Sequence, residues 1–220
     1  MDITIERLLP VAAAAAAELA HSAPADLDSR TVVIGYDRRF LAPELAAAIA
    51  AAVRGVGLEP LLAQEPLPTP ACSWVVVERR ALGALVITAS HNPPEWLGLK
   101  IKGHFGGSVE GDFTKRVERR LQAGGITVPE PGETECFDGW AEYLHGLRGA
   151  MDTNALRHGL QTMGLKVIVD PMHGSAAGGL PALLGDAVSE IRSQRDPLFG
   201  GHPPEPLAPY PVSYTHSEPT

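Results

Sequence analysis

Short runs of β-branched residues alternate with longer helix-forming stretches, and this alternation limits the possible folds more than any other feature. The predicted strands are residues 31–36 (TVVIGY), 58–62 and 84–88 (ALVIT). The predicted helices are residues 5–20, 43–53 and 70–80. Strands and helices in alternation predict an α/β fold, layered around a mostly parallel sheet with helices on both faces.

Proline and glycine mark the expected ends of these helices. Pro43 should open the second helix, and Gly55 or Gly57 should close it. Thr69 followed by Pro70 has the pattern of an N-cap residue and a first helical residue. We therefore expect the third helix to begin at Pro70.

A second α/β unit should begin after a boundary near residue 150. Residues 165–170 (LKVIVD) predict a strand, residues 171–179 a glycine-rich turn, and a helix should follow as far as Leu184. Beyond residue 203 frequent prolines prevent regular structure. We divide the chain into a first domain (1–150), part of a second (151–208) and a disordered or non-native tail (209–220).

Composition excludes several function classes. The 220 residues carry a formal charge of −8, so the chain lacks the cationic excess typical of nucleic-acid binding. A small phosphorylated ligand remains compatible, because it needs only a few local cations. Cys72 and Cys136 have no metal-binding spacing, and reduced thiols are expected. Neither a signal peptide nor a membrane-spanning run is evident, so we expect a soluble cytoplasmic protein without membrane partners.

The segment TASHNPP (residues 88–94), followed by Gly98-Leu99-Lys100, is the most informative for chemistry. It begins where the 84–88 strand should end, the edge at which α/β sheets bind ligands. Two prolines stiffen the loop, which would hold the Ser90 hydroxyl in a fixed geometry. Lys100 adds a mobile cation that could neutralise phosphate or move a proton.

Two other interpretations of this segment exist. Ser90, His91 and Asn92 are residue types that commonly form turns, so they could be ordinary loop residues. A serine hydrolase is a more specific alternative, but the G-x-S-x-G motif that holds the nucleophile in many of these enzymes is absent. His91 also follows Ser90 directly, an arrangement that seldom lets a base face the hydroxyl.

Residues 88–103 (TASHNPPEWLGLKIKG) closely resemble the active-site loop of the α-D-phosphohexomutase family, which includes phosphoglucomutase and phosphomannomutase. Residues 35–40 (GYDRRF) resemble the G-x-D-x-R turn of that family, and Pro68-Thr69-Pro70 resembles its P-T-P segment. Residues 169–174 resemble the turn that opens the second domain of the family. Residues 195–199 and 204–207 also resemble parts of that domain. The resemblance extends from about residue 3 to residue 207.

The resemblance implies an enzyme of carbohydrate metabolism that interconverts hexose 1-phosphate and hexose 6-phosphate. Ser90 would carry the phosphoryl group, and a bisphosphorylated sugar would be the intermediate. Arg38 and Lys100 match positions near the phosphoserine, His91 flanks it, and Asn92 would fix the loop and contact substrate. The resemblance also implies Mg²⁺, bound in part through the Ser90 phosphate, and hexose 1,6-bisphosphate as activator.

The chain also departs from the family pattern. The D-G-D-x-D-R run that supplies the other metal ligands does not occur in the 220 residues. The second domain therefore looks truncated, and we expect the isolated chain to be inactive. A non-catalytic phosphate-binding or pseudo-enzyme module is the alternative, and a protein-interaction fragment is a third possibility. Residues 212–216 (VSYTH) resemble a peptide translated from transposon sequencing-adapter DNA, so we expect the residues after about Ala208 to be non-native. A natural proline-rich tail is the alternative.

Overall fold

The computed structural model describes residues 4–124 and 132–210. Within these ranges the chain forms two compact units. The first comprises residues 1–37, 41–88 and 98–143, and the second residues 38–40, 89–97 and 144–220, as far as they are described. The change between the two units after residue 143 comes slightly before the boundary near residue 150 that the sequence suggested.

The first unit contains five strands in its described part. They are β1 (Thr31–Tyr36), β2 (Glu59–Ala63), β3 (Gly83–Ile87), β4 (Leu99–Gly103) and β5 (Glu135–Phe137). Their order in the sheet is β4-β3-β1-β2-β5. β1 is parallel to both β2 and β3, and β5 is parallel to β2. Only the edge strand β4 runs antiparallel among these pairs, with Lys100 opposite Val86.

Helices cover both faces of this sheet. They are α1 (Ile5–His21), α2 (Ala42–Gly55), α3 (Thr69–Glu78), α4 (Gly111–Ala123) and the start of α5 (Gly139–Ala150). The crossovers β1-α2-β2 and β2-α3-β3 run in opposite directions along the sheet. Because parallel crossovers are right-handed, α2 and α3 lie on opposite faces. α1 packs beside α2 and α4.

Close packing between β1 and α3 depends on a glycine. Gly35 lies in β1 beside Cys72 of α3, and a Cβ atom at position 35 would overlap the Cys72 sulfur. Cys72 is fully buried, and burial raises the pKa of its thiol to about 12. Any larger side chain at position 35 would therefore force the Cys72 side chain or α3 to shift.

The second unit contains α6 (Thr153–Thr162), β6 (Val167–Val169), α7 (Gly179–Leu184) and β7 (Val188–Glu190). β6 and β7 pair in parallel. Asp152 caps α6 by accepting a hydrogen bond from the Ala155 backbone N–H at 2.9 Å. After β6 the chain turns through Met172 and His173, both in the left-handed backbone region.

The structure confirms the fold class and most of the predicted elements. β1 has the predicted bounds, while β2 and β3 are each displaced by one residue. The predicted cap of α3 was wrong: Thr69 is the first helical residue, Pro68 occupies the N-cap position, and no side chain caps the helix. The proline ring fixes the φ angle at the entry instead. Within the predicted tail, residues 211–220 lie outside the described residues.

In the described ranges no helix combines the length and the apolar character needed to cross a bilayer.

Candidate active site around Ser90

The Ser90 loop follows β3 directly, as the sequence predicted. β3 ends at Ile87, and the Thr88 N–H donates to the Gly98 carbonyl at 3.0 Å, which closes the base of the loop. Ser90 lies in neither a helix nor a strand, and it is exposed. Its φ is 57°, in the left-handed region that non-glycine residues seldom occupy. This uncommon conformation at an exposed hydroxyl is typical of functional loops.

Few backbone hydrogen bonds hold the loop together. Pro93 and Pro94 have no N–H to donate. The Asn92 N–H donates to the Ala89 carbonyl at 3.1 Å, and the Trp96 N–H donates to the Pro93 carbonyl at 3.0 Å. The Asn92 side-chain amide also donates to Ala89, at 2.8 Å. Asn92 therefore stabilises the turn around Ser90, and its contact with substrate stays a prediction.

Arg39 makes the most extensive contact with this loop. Its side chain is fully buried. The guanidinium donates hydrogen bonds to four loop carbonyls, those of Ser90 (3.0 Å), Asn92 (2.7 Å), Pro93 (2.6 Å) and Trp96 (3.0 Å). On another side it lies 5.0 Å from the centre of the Phe199 ring, in a cation–π contact. A buried charge is stable only with such partners.

Arg38, the arginine singled out from the sequence, lies in the same unit as Ser90. Its Nη1 donates to the Ser193 carbonyl at 2.6 Å. Arg195 donates in turn to the Arg39 carbonyl at 3.2 Å. Both contacts tie residues 38–40 to residues 193–199 within the second unit. A direct role of Arg38 toward a phosphate on Ser90 stays a prediction.

His91 faces the Ser90 hydroxyl, contrary to the argument from their adjacency in sequence. Its Nδ1 lies 3.4 Å from Ser90 Oγ, and its Nε2 lies 3.4 Å from the Glu205 carboxylate. Such distances often shorten when substrate binds. A carboxylate beside Nε2 favours the tautomer with the proton on Nε2, which leaves Nδ1 free to accept the serine proton. The positive φ of Ser90 changes the direction of the chain between the two residues, which adjacency in sequence does not reveal.

Lys100 lies on the edge strand β4, outside the Ser90 loop, and its role as a mobile cation stays a prediction. Its backbone pairs with Val86 in the antiparallel edge of the sheet, which fixes its main chain. Lys100 belongs to the first unit, whereas Ser90, His91, Asn92 and Arg38 belong to the second. The convergence of Lys100 with Ser90 stays a prediction.

The described residues do not form a metal site by themselves. In residues 4–124 and 132–210 there is no group of three or more His, Cys, Asp or Glu side chains arranged to hold a metal ion. Mg²⁺ prefers several oxygen ligands in an octahedral arrangement. The described residues alone therefore do not supply the ligand set of a Mg²⁺ ion.

Sequence reasoning missed Arg39, Glu205 and Phe199 as neighbours of the loop. Arg39 was detectable, since it occupies the final arginine position of the G-x-D-x-R pattern that begins at Gly35. Glu205 and Phe199 lie in segments that look like the second family domain, but that resemblance does not indicate that they contact the loop. They reach the loop only through tertiary structure, from more than 100 residues downstream of Ser90.

Comparison with known proteins agrees with the geometry. Residues 3–125 match the family "Phosphoglucomutase/phosphomannomutase, alpha/beta/alpha domain I". The chain is 34% identical over 206 residues to the phosphoglucosamine mutase of Rhodococcus jostii (strain RHA1), covering 90% of this chain and 44% of that protein. It is 32% identical over 171 residues to the phosphoglucosamine mutase of Cereibacter sphaeroides (strain ATCC 17029 / ATH 2.4.9), covering 76% and 37%.

Solved structures show the same likeness. A provisionally assigned phosphomannomutase from Thermus thermophilus superposes with a TM-score of 0.80 at 32% identity, covering 93% of this chain and 46% of that one. A phosphoglucomutase/phosphomannomutase family protein from Burkholderia thailandensis shares the fold, with a TM-score of 0.71 at 23% identity and coverage of 93% and 43%. The chain spans less than half the length of these relatives. From the matched first domain and the Ser90 loop within it, the chain belongs to the phosphoglucomutase/phosphomannomutase family.

Proposed function

We propose that the chain is part of a phosphohexomutase in which Ser90 carries the transferred phosphoryl group. The observation that supports this most directly is an exposed serine with φ 57° whose hydroxyl lies 3.4 Å from an imidazole nitrogen. An exposed hydroxyl on a loop whose backbone is held by Arg39 suits a phosphoryl acceptor and donor. Family membership gives the class of reaction, and the substrate is a hexose 1-phosphate or hexose 6-phosphate.

In the proposed reaction the phosphorylated Ser90 transfers its group to a free hydroxyl of the sugar phosphate. The bond from phosphorus to Ser90 Oγ breaks, a bond from phosphorus to the sugar oxygen forms, and the proton of the sugar hydroxyl passes to solvent. Ser90 Oγ becomes an alkoxide unless a proton arrives, and protonated His91 can supply it through Nδ1. In the return step Ser90 Oγ attacks the other phosphate of the bisphosphorylated sugar, and neutral His91 accepts the proton of the Ser90 hydroxyl. The bond from that phosphorus to its sugar oxygen breaks, and the sugar oxygen takes a proton from solvent.

Several finer features belong to the same proposal. Residues 1–150 would form the first family domain, and residues 151–208 the beginning of the second. Lys100 and Arg38 would offset phosphate charge, and Mg²⁺ would be the metal of the complete family enzyme. The relatives from Rhodococcus jostii and Cereibacter sphaeroides are phosphoglucosamine mutases, which makes a glucosamine phosphate one candidate substrate.

Transfer of labelled phosphate tests the proposal. The purified chain is incubated with Mg²⁺ and glucose 1,6-bisphosphate labelled with ³²P, and the labelled peptide is identified. We expect label on Ser90 and none in Ser90→Ala. A matched control, Ser108→Ala, removes another hydroxyl outside the loop and should leave labelling unchanged. Binding of bisphosphate without transfer would instead favour the alternative of a phosphate-binding module.

We also propose that the isolated chain does not complete the mutase cycle, because the D-G-D-x-D-R run of the family does not occur in it. A coupled assay for conversion of glucose 1-phosphate to glucose 6-phosphate should give the same rate for wild type and Ser90→Ala. Loss of one well-placed electrostatic group typically costs about 100- to 1000-fold in rate. Turnover above the Ser90→Ala rate would contradict this part of the proposal.

A further inference from the structure

Arg39 is the largest fully buried side chain of the described residues. Arginine is almost never fully buried unless its charge is satisfied. Its guanidinium bonds four carbonyls that all belong to one stretch of chain, residues 90–96. The side chain is therefore directed at the backbone of the Ser90 loop.

The loop needs such a donor because of its own sequence. Two of its residues are prolines, which have no backbone N–H group. Some of the loop carbonyls therefore cannot find a backbone donor within a regular turn. A guanidinium has five N–H donors spread in one plane. Arg39 can thus bond carbonyls on both sides of the prolines at once, from Ser90 to Trp96, which a lysine ammonium cannot do.

The bond to Ser90 has a particular consequence. Arg39 Nη2 holds the carbonyl of Ser90 itself at 3.0 Å, and that of Asn92 at 2.7 Å. These two hydrogen bonds fix the orientation of the peptide planes that follow Ser90, the residue with the left-handed backbone conformation. The direction of the Ser90 hydroxyl and its approach to His91 depend on this turn.

Two further contacts hold Arg39 in place. The Phe199 ring, which is buried, lies 5.0 Å from the guanidinium, and Arg195 donates to the Arg39 carbonyl. Arg39 has neither the exposure nor the direction to contact a sugar phosphate. We propose that Arg39 is a positioning residue that fixes the backbone of residues 90–96, so that Ser90 presents its hydroxyl for phosphoryl transfer. The second half of this statement rests on the proposed function of Ser90.

The test compares wild type, Arg39→Lys and a matched control, Arg157→Lys. Arg157 also donates to a carbonyl in the second unit, that of Leu183 at 3.1 Å, but away from the loop. Hydrogen exchange is measured for residues 89–97 and, as an internal reference, for β6. In the same samples the rate of phosphate uptake on Ser90 from glucose 1,6-bisphosphate is followed by intact mass.

For Arg39→Lys we expect exchange in residues 89–97 to rise by about tenfold or more, while exchange in β6 stays within about twofold of wild type. Phosphate uptake should slow by about 10- to 100-fold, because small misplacement of a reacting group costs rate on this scale. Arg157→Lys should match wild type in both measurements at the loop.

Three results would overturn the inference, and one separates it from the proposed function. Unchanged exchange in residues 89–97, or equal increases in the loop and β6, would mean that Arg39 does not act on the loop specifically. Faster loop exchange with unchanged phosphate uptake would mean that the fixed backbone is irrelevant to transfer. If wild type takes up no phosphate on Ser90, the proposed function fails, and the exchange data alone then decide whether Arg39 holds the loop.

Discussion

Replacing Glu18 by glutamine should destabilise the first unit by about 2 kcal/mol at neutral pH. Glu18 lies on α1 with its side chain only 2% exposed. Arg116 and Arg120 of α4 each donate to its carboxylate at 2.6 Å, and the Ser22 hydroxyl donates at 2.9 Å. The network joins two helices that are about 100 residues apart in sequence.

The magnitude follows from the pKa of Glu18. Burial alone would raise this pKa, but the hydrogen bonds from Arg120, Arg116 and Ser22 outweigh burial and lower it from 4.5 to about 2. A pKa difference of that size between the folded and the unfolded state corresponds to about 3 kcal/mol of folding stability. The two arginine side chains are 39% and 36% exposed, so solvent screens them and we expect about 2 kcal/mol.

The dependence on pH has a definite sign. The carboxylate has a lower pKa in the folded state than in the unfolded chain, so its contribution is complete above about pH 5. It falls as the pH is lowered, and it disappears below about pH 2, where both states are protonated. The stability difference between wild type and Glu18→Gln should narrow accordingly between about pH 5 and about pH 2.

Urea unfolding followed by circular dichroism measures this difference. With a slope of about 2 kcal/mol per molar urea, the midpoint of Glu18→Gln should lie about 1 M below that of wild type at neutral pH. The control Glu118→Gln changes an exposed glutamate on the partner helix α4 and should keep the wild-type midpoint. Equal midpoints for wild type and Glu18→Gln at neutral pH, or a gap that persists unchanged to about pH 2, would refute the reasoning.

Two further predictions concern the contact between β1 and α3. Cys72 is buried with its thiol pKa raised to about 12, whereas Cys136 is exposed, so Ellman's reagent should modify one thiol in the folded chain and the second only after denaturation. Cys136→Ser should abolish the reaction seen in the folded chain. Modification of both thiols in the folded wild type would contradict the burial of Cys72. Gly35→Ala should cost about 1–3 kcal/mol in urea unfolding because the new methyl group overlaps the Cys72 sulfur. Cys72→Ala should recover part of that loss, and strictly additive effects would show that the two residues do not interact.

The parallel centre of the sheet could be predicted from the sequence because its strands are buried on both faces. Such strands consist of unbroken apolar, β-branched runs, as in TVVIGY, and the predicted bounds of β1 agree with the structure. The edge strand β4 escaped prediction. Its sequence, LKIKG, alternates apolar residues with lysines, and it follows a loop whose chemistry suggested a mobile Lys100. An edge strand with one polar face resembles a loop when only composition is considered.

The sequence predicted those residues of the candidate site that belong to a recognisable motif. It did not predict the residues that reach the site only through tertiary contacts. Ser90 and its position after β3 followed from the loop sequence. The burial of Arg39 did not, because arginine is usually exposed and its partners are backbone carbonyls, which sequence patterns do not identify. The pairing of His91 with Glu205 also depends on folding of the chain between them. Glu18, set among alanines, gave no sign of its two arginine partners on α4.

Phosphopeptide analysis of the chain purified from cells tests the central claim most directly. Intact mass gives the number of phosphates, and fragmentation of the peptide that contains residues 88–103 gives their position. We expect one phosphate, on Ser90, in a substantial fraction of the molecules, and none in Ser90→Ala purified in the same way. A folded chain without phosphate on Ser90 that also takes up none from glucose 1,6-bisphosphate would contradict the account.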